Sequence, residues 1–158
     1  MNEQKLVDFL RKRKETISTM ESCTAGYLAT TITNIDNSSE ILKFSAITYS
    51  NEYKIKMGVN KNTIDKYSVY SFEVSREMSE CISKFASSTY GIGITGKINR
   101  EDPCNLNGNN NEIFVTIYNS KSKEYKDILI KTPYKKREEC KKYITNRVIE
   151  EFLLFFGK

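Results

Sequence analysis

A chain of 158 residues, 39% hydrophobic and 28% charged with a formal net charge of +5, has the size and composition of one soluble globular domain with its own core. It contains no histidine, which excludes a Ser-His-Asp triad, a Cys-His dyad and a His-ligated metal centre, and its four cysteines (Cys23, Cys81, Cys104, Cys140) form no C-x-x-C pair that would suggest a disulfide framework or a zinc site. No stretch approaches the ~20 apolar residues of a membrane span and no signal-peptide core opens the chain, so a cytoplasmic protein without metal or cofactor is expected.

Leu6, Val7, Phe9 and Leu10 predict a short amphipathic first helix that runs into the basic residues 11–14. Residues 16–21, with β-branched Thr16, Ile17 and Thr19, read as a strand. From Ala25 the apolar positions Leu28, Ala29 and Ile32 recur at helical spacing, which leaves 22–24 at a strand-to-helix junction. A second strand over 44–49 leads to Ser50, a candidate cap for a short helix holding Lys54 and Met57. The spacing of Val74, Met78, Cys81, Ile82 and Phe85 predicts a helix over 72–86 capped by Ser71, followed by a buried strand over Gly91–Thr95.

An Asn-rich loop with Pro103 and Gly108 covers 97–111. Glu112–Tyr118 and Tyr125–Lys131 pair as a hairpin across Asn119–Glu124. A last helix runs from about Lys135 to Phe156, with Cys140, Ile144, Val148, Phe152 and Phe155 on one face. The alternation of strands and helices predicts an α/β fold, a single three-layer α/β/α domain over 1–158, and the hairpin makes its central sheet mixed. The five successive apolar residues Phe152–Phe156 exceed what one buried helix face requires and point to a homo-oligomer, a dimer or larger.

Four segments have residues suited to chemistry. Ser22 and Thr24 flank Cys23 where backbone N–H groups and a helix dipole suit an anion or oxyanion, and Gly26 allows close approach of a ligand; alternatively either hydroxyl caps the helix and Cys23 is a small buried hydrophobe. In Tyr49-Ser50-Asn51-Glu52-Tyr53-Lys54, the lysine would serve as a base if burial lowers its pKa, or stand as a solvated surface charge. Thr95 and the N–H of Gly96 end a strand at the carboxyl edge where open α/β sheets bind ligands, or serve tight packing. Arg137, in the first turn of the last helix, would clamp a phosphate or carboxylate, or lie on the surface. The basic excess is dispersed, acids interleave with it and no nucleic-acid-binding module is present, so nucleic acid and membrane are not expected partners.

Taken in order, these segments resemble the C-terminal domain of the CinA family, which includes nicotinamide mononucleotide deamidases. Met20-Glu21-Ser22-Cys23-Thr24-Ala25-Gly26 is similar to the family's A-E-S-C-T-G-G, Asn37-Ser38-Ser39 to its Gly-Ser-Ser element, and Ile47-Thr48-Tyr49-Ser50-Asn51-Glu52-Tyr53-Lys54 to V-T-Y-S-N-E-x-K. Val69–Met78 resembles A-V-S-x-E-V-x-x-E-M more loosely; Thr95-Gly96 matches the family's T-G turn, and Arg137 an arginine of its last helix. The resemblance implies hydrolysis of the carboxamide of nicotinamide mononucleotide, a small-molecule nucleotide substrate, at a Ser/Lys site without metal. Ser22 or Thr24 would be the nucleophile, Lys54 the base, and Tyr49, Ser50, Asn51, Thr95 and Arg137 the residues that position base, ribose and phosphate. A stand-alone form without the N-terminal domain of larger members is expected. Two departures stand out. Ala25 replaces a glycine, a mild change where φ is negative, and Lys97-Ile98-Asn99-Arg100-Glu101-Asp102-Pro103 replaces I-A-G-P-G-G-G, a change that would close the pocket, alter the substrate or leave a binding function alone.

Overall fold

The computed structural model describes residues 1–133 and 135–158. In chain order the elements are α1 (Asn2–Arg13), β1 (Ile17–Glu21), α2 (Tyr27–Thr33), β2 (Leu42–Ile47), α3 (Asn51–Lys56), α4 (Lys61–Tyr67), α5 (Phe72–Ala86), β3 (Tyr90–Gly96), β4 (Glu112–Asn119), β5 (Glu124–Lys131) and α6 (Arg137–Phe156). The strands form one sheet in the order β2-β1-β3-β4-β5. β2, β1 and β3 run parallel, while β4 and β5 run antiparallel to their neighbours, so the sheet is mixed as expected.

Helix α5 covers one face of this sheet, and α1, α2 and α6 cover the other, giving three layers. The helices hold the sheet for different reasons. On the α6 side, aliphatic and aromatic side chains interdigitate: Leu6, Leu10, Leu28, Ile144, Val148 and Phe152 are all buried against Ile17, Ile92 and Ile117. On the α5 side the helix backbone itself comes close. A Cβ on Gly91 would stand 1.9 Å from the Ser79 carbonyl oxygen, and one on Gly93 would stand 2.4 Å from that of Ser75. These two glycines, two residues apart, point to the same face of β3, and Ser75, Ser79 and Ser83 of α5 are buried there.

That close approach changes the expected stripe on α5. Val74, Met78 and Ile82 are buried as the spacing predicts, but Phe85 is 65% exposed. On α6, Cys140, Ile144, Val148 and Phe152 form the buried face, whereas Phe155 is exposed and packs its ring on Phe156. Helix α4 lacks an expectation from the sequence; Asn60 caps it, its Oδ1 accepting from the Asn62 N–H at 2.9 Å.

The parallel part of the sheet places a crevice. From β1 the chain moves outward to β2, whereas from β3 it moves to β4 on the opposite side. The strand order therefore reverses between β1 and β3, and the carboxyl ends of those two strands, Glu21 and Gly96, open onto the point where α/β sheets bind ligands.

Candidate active site

The turn after β1 is built around a buried carboxylate. Glu21, fully buried, accepts hydrogen bonds from Thr19 Oγ1 at 3.1 Å, Thr24 Oγ1 at 2.7 Å, the Leu28 N–H at 3.0 Å and the Ala29 N–H at 3.1 Å. The last two are amides that open α2 and have no partner inside the helix, and a negative charge is favoured at that end. Glu21 thus does the capping that the sequence suggested for Ser22 or Thr24. The residue that flanks the helix is Gly26, at φ 88 and without a side-chain cap bond. Ala25 lies at φ 50, in the left-handed region where a Cβ costs about 1–2 kcal/mol. The exchange of glycine for alanine is therefore strained and not mild.

With capping taken over by Glu21, the Ser22 hydroxyl is released from the helix. Its Oγ accepts a hydrogen bond from Lys54 Nζ at 3.1 Å, and the same Nζ donates to the Thr48 carbonyl at 2.8 Å. Thr48 is placed by the sheet, since its N–H donates to the Glu21 carbonyl at 2.9 Å and continues the pairing of β1 with β2 beyond the strand ends. Lys54 sits in the last turn of the short helix α3, which Ser50 caps by accepting from the Tyr53 N–H at 3.3 Å. The lysine is only 2% exposed, which sets aside the solvated-surface alternative. Burial without a carboxylate partner pulls its ammonium down from 10.5 to about 8. Cys23, between the two hydroxyl residues, is buried, and desolvation pushes its thiol up to about 12. It is a poor source of thiolate near neutrality.

A cavity of about 510 Å³ opens beside Ser22. Of the residues singled out from the sequence, Ser22, Cys23, Tyr49, Ser50, Asn51, Gly96 and Arg137 line it, and Lys54 touches Ser22 from behind. Thr24, Gly26 and Thr95 do not line it. Thr24 spends its hydroxyl on Glu21, Gly26 faces Ile47, and the Thr95 hydroxyl donates to the Val69 carbonyl at 3.1 Å. Asn51 Nδ2 reaches Asn105 Oδ1 at 3.2 Å, which ties α3 to the loop across the cavity. Arg137, the first residue of α6, donates through Nη1 to the Ile98 carbonyl at 3.1 Å.

The loop that departs from the family pattern forms one wall and leaves the cavity open. Its anchor is Asp102, which accepts from Tyr70 Oη at 2.5 Å, Asn105 Nδ2 at 2.9 Å and the Cys104 N–H at 2.9 Å. Burial works against ionising Asp102, and the hydrogen bonds outweigh it, holding this carboxyl below its ordinary value. Burial, reinforced by that carboxylate, drives the Tyr70 hydroxyl far above its ordinary range. Glu21 and Tyr70 stand in the sequence only as members of motifs, and Lys97 and Asp102 only as members of the altered loop, with no individual role to be read for any of the four. Asp102-Pro103 carries a turn signal, since an Asp side chain readily accepts from the amide two residues on, but nothing local marks the other three. Among the described residues no group of three or more His, Cys, Asp or Glu side chains is placed to hold a metal ion.

Comparison with known proteins follows the same lines. Residues 1–149 match the family model described as the CinA C-terminal domain. Among curated relatives, a CinA-like protein of Desulforapulum autotrophicum is 39% identical over 95 residues, 60% of this chain and 22% of that protein. The chain thus spans about a quarter of the length of the curated relatives it matches. Among solved structures, a competence or damage-inducible protein from Enterobacter asburiae superposes with a TM-score of 0.88 at 19% identity, covering 97% of this chain and 94% of that one. A competence-damaged protein (CinA) superfamily protein from Escherichia coli gives 0.86 at 18% identity, covering 96% and 87%. At that identity the likeness shows the fold, a five-stranded mixed sheet between helices.

Proposed function

The chain belongs to the CinA C-terminal domain family, and on that premise we propose that it is a cytoplasmic amidohydrolase that deamidates nicotinamide mononucleotide to nicotinate mononucleotide and ammonia. The observation that carries this reading is the buried Lys54 Nζ held 3.1 Å from Ser22 Oγ at the edge of the cavity. A serine is a weak nucleophile until a base takes its proton, and a lysine serves only in its neutral form. Burial supplies that form near neutral pH.

In the proposed reaction Ser22 Oγ attacks the carboxamide carbon while its proton passes to Lys54. The tetrahedral intermediate collapses as Lys54 returns that proton to the departing ammonia, leaving an acyl ester on Ser22. Water, deprotonated by the same lysine, then releases the carboxylate. The backbone N–H groups of Cys23 and Thr24 donate to no acceptor among the described residues and serve as candidate oxyanion donors. One such donor is typically worth about 3 kcal/mol in the transition state. Tyr49, Asn51 and Arg137 line the space for the base, ribose and phosphate.

Purified protein incubated with nicotinamide mononucleotide is expected to release ammonia, and the Lys54→Ala variant to release none. Equal rates in the two proteins would sink the mechanism. The replaced loop 97–103 favours one other reading, a nucleotide-binding module without turnover. Tight binding of the nucleotide in a calorimetric titration, with no product on long incubation, would establish that reading in place of the enzyme.

A further inference from the structure

Lys97 follows β3 directly and is 3% exposed, yet its Nζ has no hydrogen-bond partner among the described residues. The Nζ lies over the face of Tyr70, 4.9 Å from the ring centroid. Both residues line the cavity that holds Ser22. A buried ammonium without an acceptor is costly, and such groups ordinarily find a carboxylate, a carbonyl or a ligand. Of the two acids on this wall, Asp102 accepts from Tyr70, Asn105 and the Cys104 amide, and Glu101 is exposed to solvent and makes no ion pair with Lys97.

Two more cations line the same cavity. Arg137 uses one Nη1 bond on the Ile98 carbonyl and makes no ion pair among the described residues, and Arg100 makes none either. Lys97 and Arg100 both belong to the segment that replaces the glycine-rich stretch of the family pattern. The replacement thus adds two cations to the wall, Lys97 and Arg100, together with two acids, Glu101 and Asp102, and Arg137 leaves the wall with an excess of one positive charge.

We propose that Lys97, with Arg100 and Arg137, forms a subsite for a dianionic phosphate monoester group of the substrate, and that Lys97 determines specificity for the phosphorylated form. This rests on reading the Ser22 cavity as an amidase site. The phosphate oxygens supply the acceptor that Lys97 Nζ lacks, and the guanidinium groups supply further charge-assisted donors. Tyr70 presents its ring face to Lys97 Nζ while its hydroxyl donates to Asp102, so one residue places the ammonium and occupies the carboxylate beside it.

The test uses inorganic phosphate as a probe alongside two amides, nicotinamide mononucleotide and its dephosphorylated nucleoside. Wild-type protein is expected to bind inorganic phosphate, and Lys97→Met to weaken that binding by about tenfold to a hundredfold, the usual effect of losing one charge-assisted contact. In turnover, Lys97→Met raises KM for the nucleotide by a similar factor, far more than it lowers kcat, and erases the preference over the nucleoside. Lys97→Arg keeps the charge and retains most of the phosphate binding. In phosphate-free buffer Lys97→Met melts no lower than wild type, since it removes an unpartnered ammonium.

Phosphate binding and nucleotide preference both unchanged in Lys97→Met would overturn the proposal while leaving the deamidase reading intact. Lys97-dependent phosphate binding in a protein that releases no ammonia would support the subsite and reject the deamidase reading.

Discussion

The most exposed consequence of the Ser22–Lys54 arrangement is a pH profile. Lys54 is held at about 8 by burial, against an ordinary 10.5. As general base it must be neutral, so the competent fraction is about a tenth at pH 7, half at pH 8 and nine-tenths at pH 9. Ammonia release should therefore show kcat/KM rising about tenfold per pH unit below 7 and levelling above 9, with a midpoint near 8. The same shift carries a stability signature. The folded protein sheds a proton that the unfolded chain keeps, so the penalty for burying the ammonium is fully present below pH 8 and disappears as pH rises past 10.5. A displacement of 2.5 pH units corresponds to about 3 kcal/mol. Urea unfolding of wild type, measured from pH 7.5 to 10.5 against Lys54→Met, should show wild type gaining up to that amount relative to the variant. Titrations common to both proteins, such as that of Cys23, cancel in the difference. A kcat/KM midpoint near 10.5, or a stability difference that stays flat across the window, would refute the reasoning.

Other consequences follow from the turn. Ser22→Ala should lower kcat by about a thousandfold or more while leaving stability within ~1 kcal/mol. Thr24→Val, which removes a donor to Glu21 and no wall of the cavity, should lose about 1–2 kcal/mol of stability and keep most of kcat; the reverse ranking would make Thr24 the nucleophile. Glu21→Gln faces four donors with a single acceptor oxygen and should cost about 3 kcal/mol in denaturant unfolding, since its amide opposes the N–H groups that open α2. Ala25→Gly should raise stability by about 0.5–1 kcal/mol, as the left-handed φ of 50 suits glycine; a loss in a thermal melt would contradict the strain at that turn.

The parts of the fold that periodicity reports were legible in the sequence, and the exceptions share a cause. The strands, the hairpin, and the α5 and α6 helices lie close to where alternation and helical spacing predict them. Phe85 and Phe155 fall on apolar stripes by spacing yet are exposed, because hydrophobicity at helical spacing marks a contact only where the neighbouring element leaves room for the side chain. On α5 that room is missing for a specific reason. Gly91 and Gly93 draw the helix backbone onto β3, and the residues that fit so narrow a gap are the serines at 75, 79 and 83. Polar side chains are thus buried at the closest approach while a phenylalanine stays outside. Helix α4 escaped for the simpler reason that Ile64 is its one buried residue, too little for a period to show.

The candidate site divides in the same way. The composition excluded histidine chemistry outright, and the motifs marked Ser22 and Lys54 as notable. Their meeting depends on a register between β1 and β2 that no local pattern carries. It is set where the Thr48 amide reaches the Glu21 carbonyl and turns the Thr48 carbonyl toward Lys54. Glu21 was passed over because helix caps are sought among the short polar residues just before a helix. Here a carboxylate seven residues upstream of Leu28 reaches forward to the same amides. That one substitution of roles explains why the Ser22 hydroxyl is available at all. Had Ser22 capped α2, its lone pairs would face the helix; with Glu21 in that place they face Lys54 and the cavity.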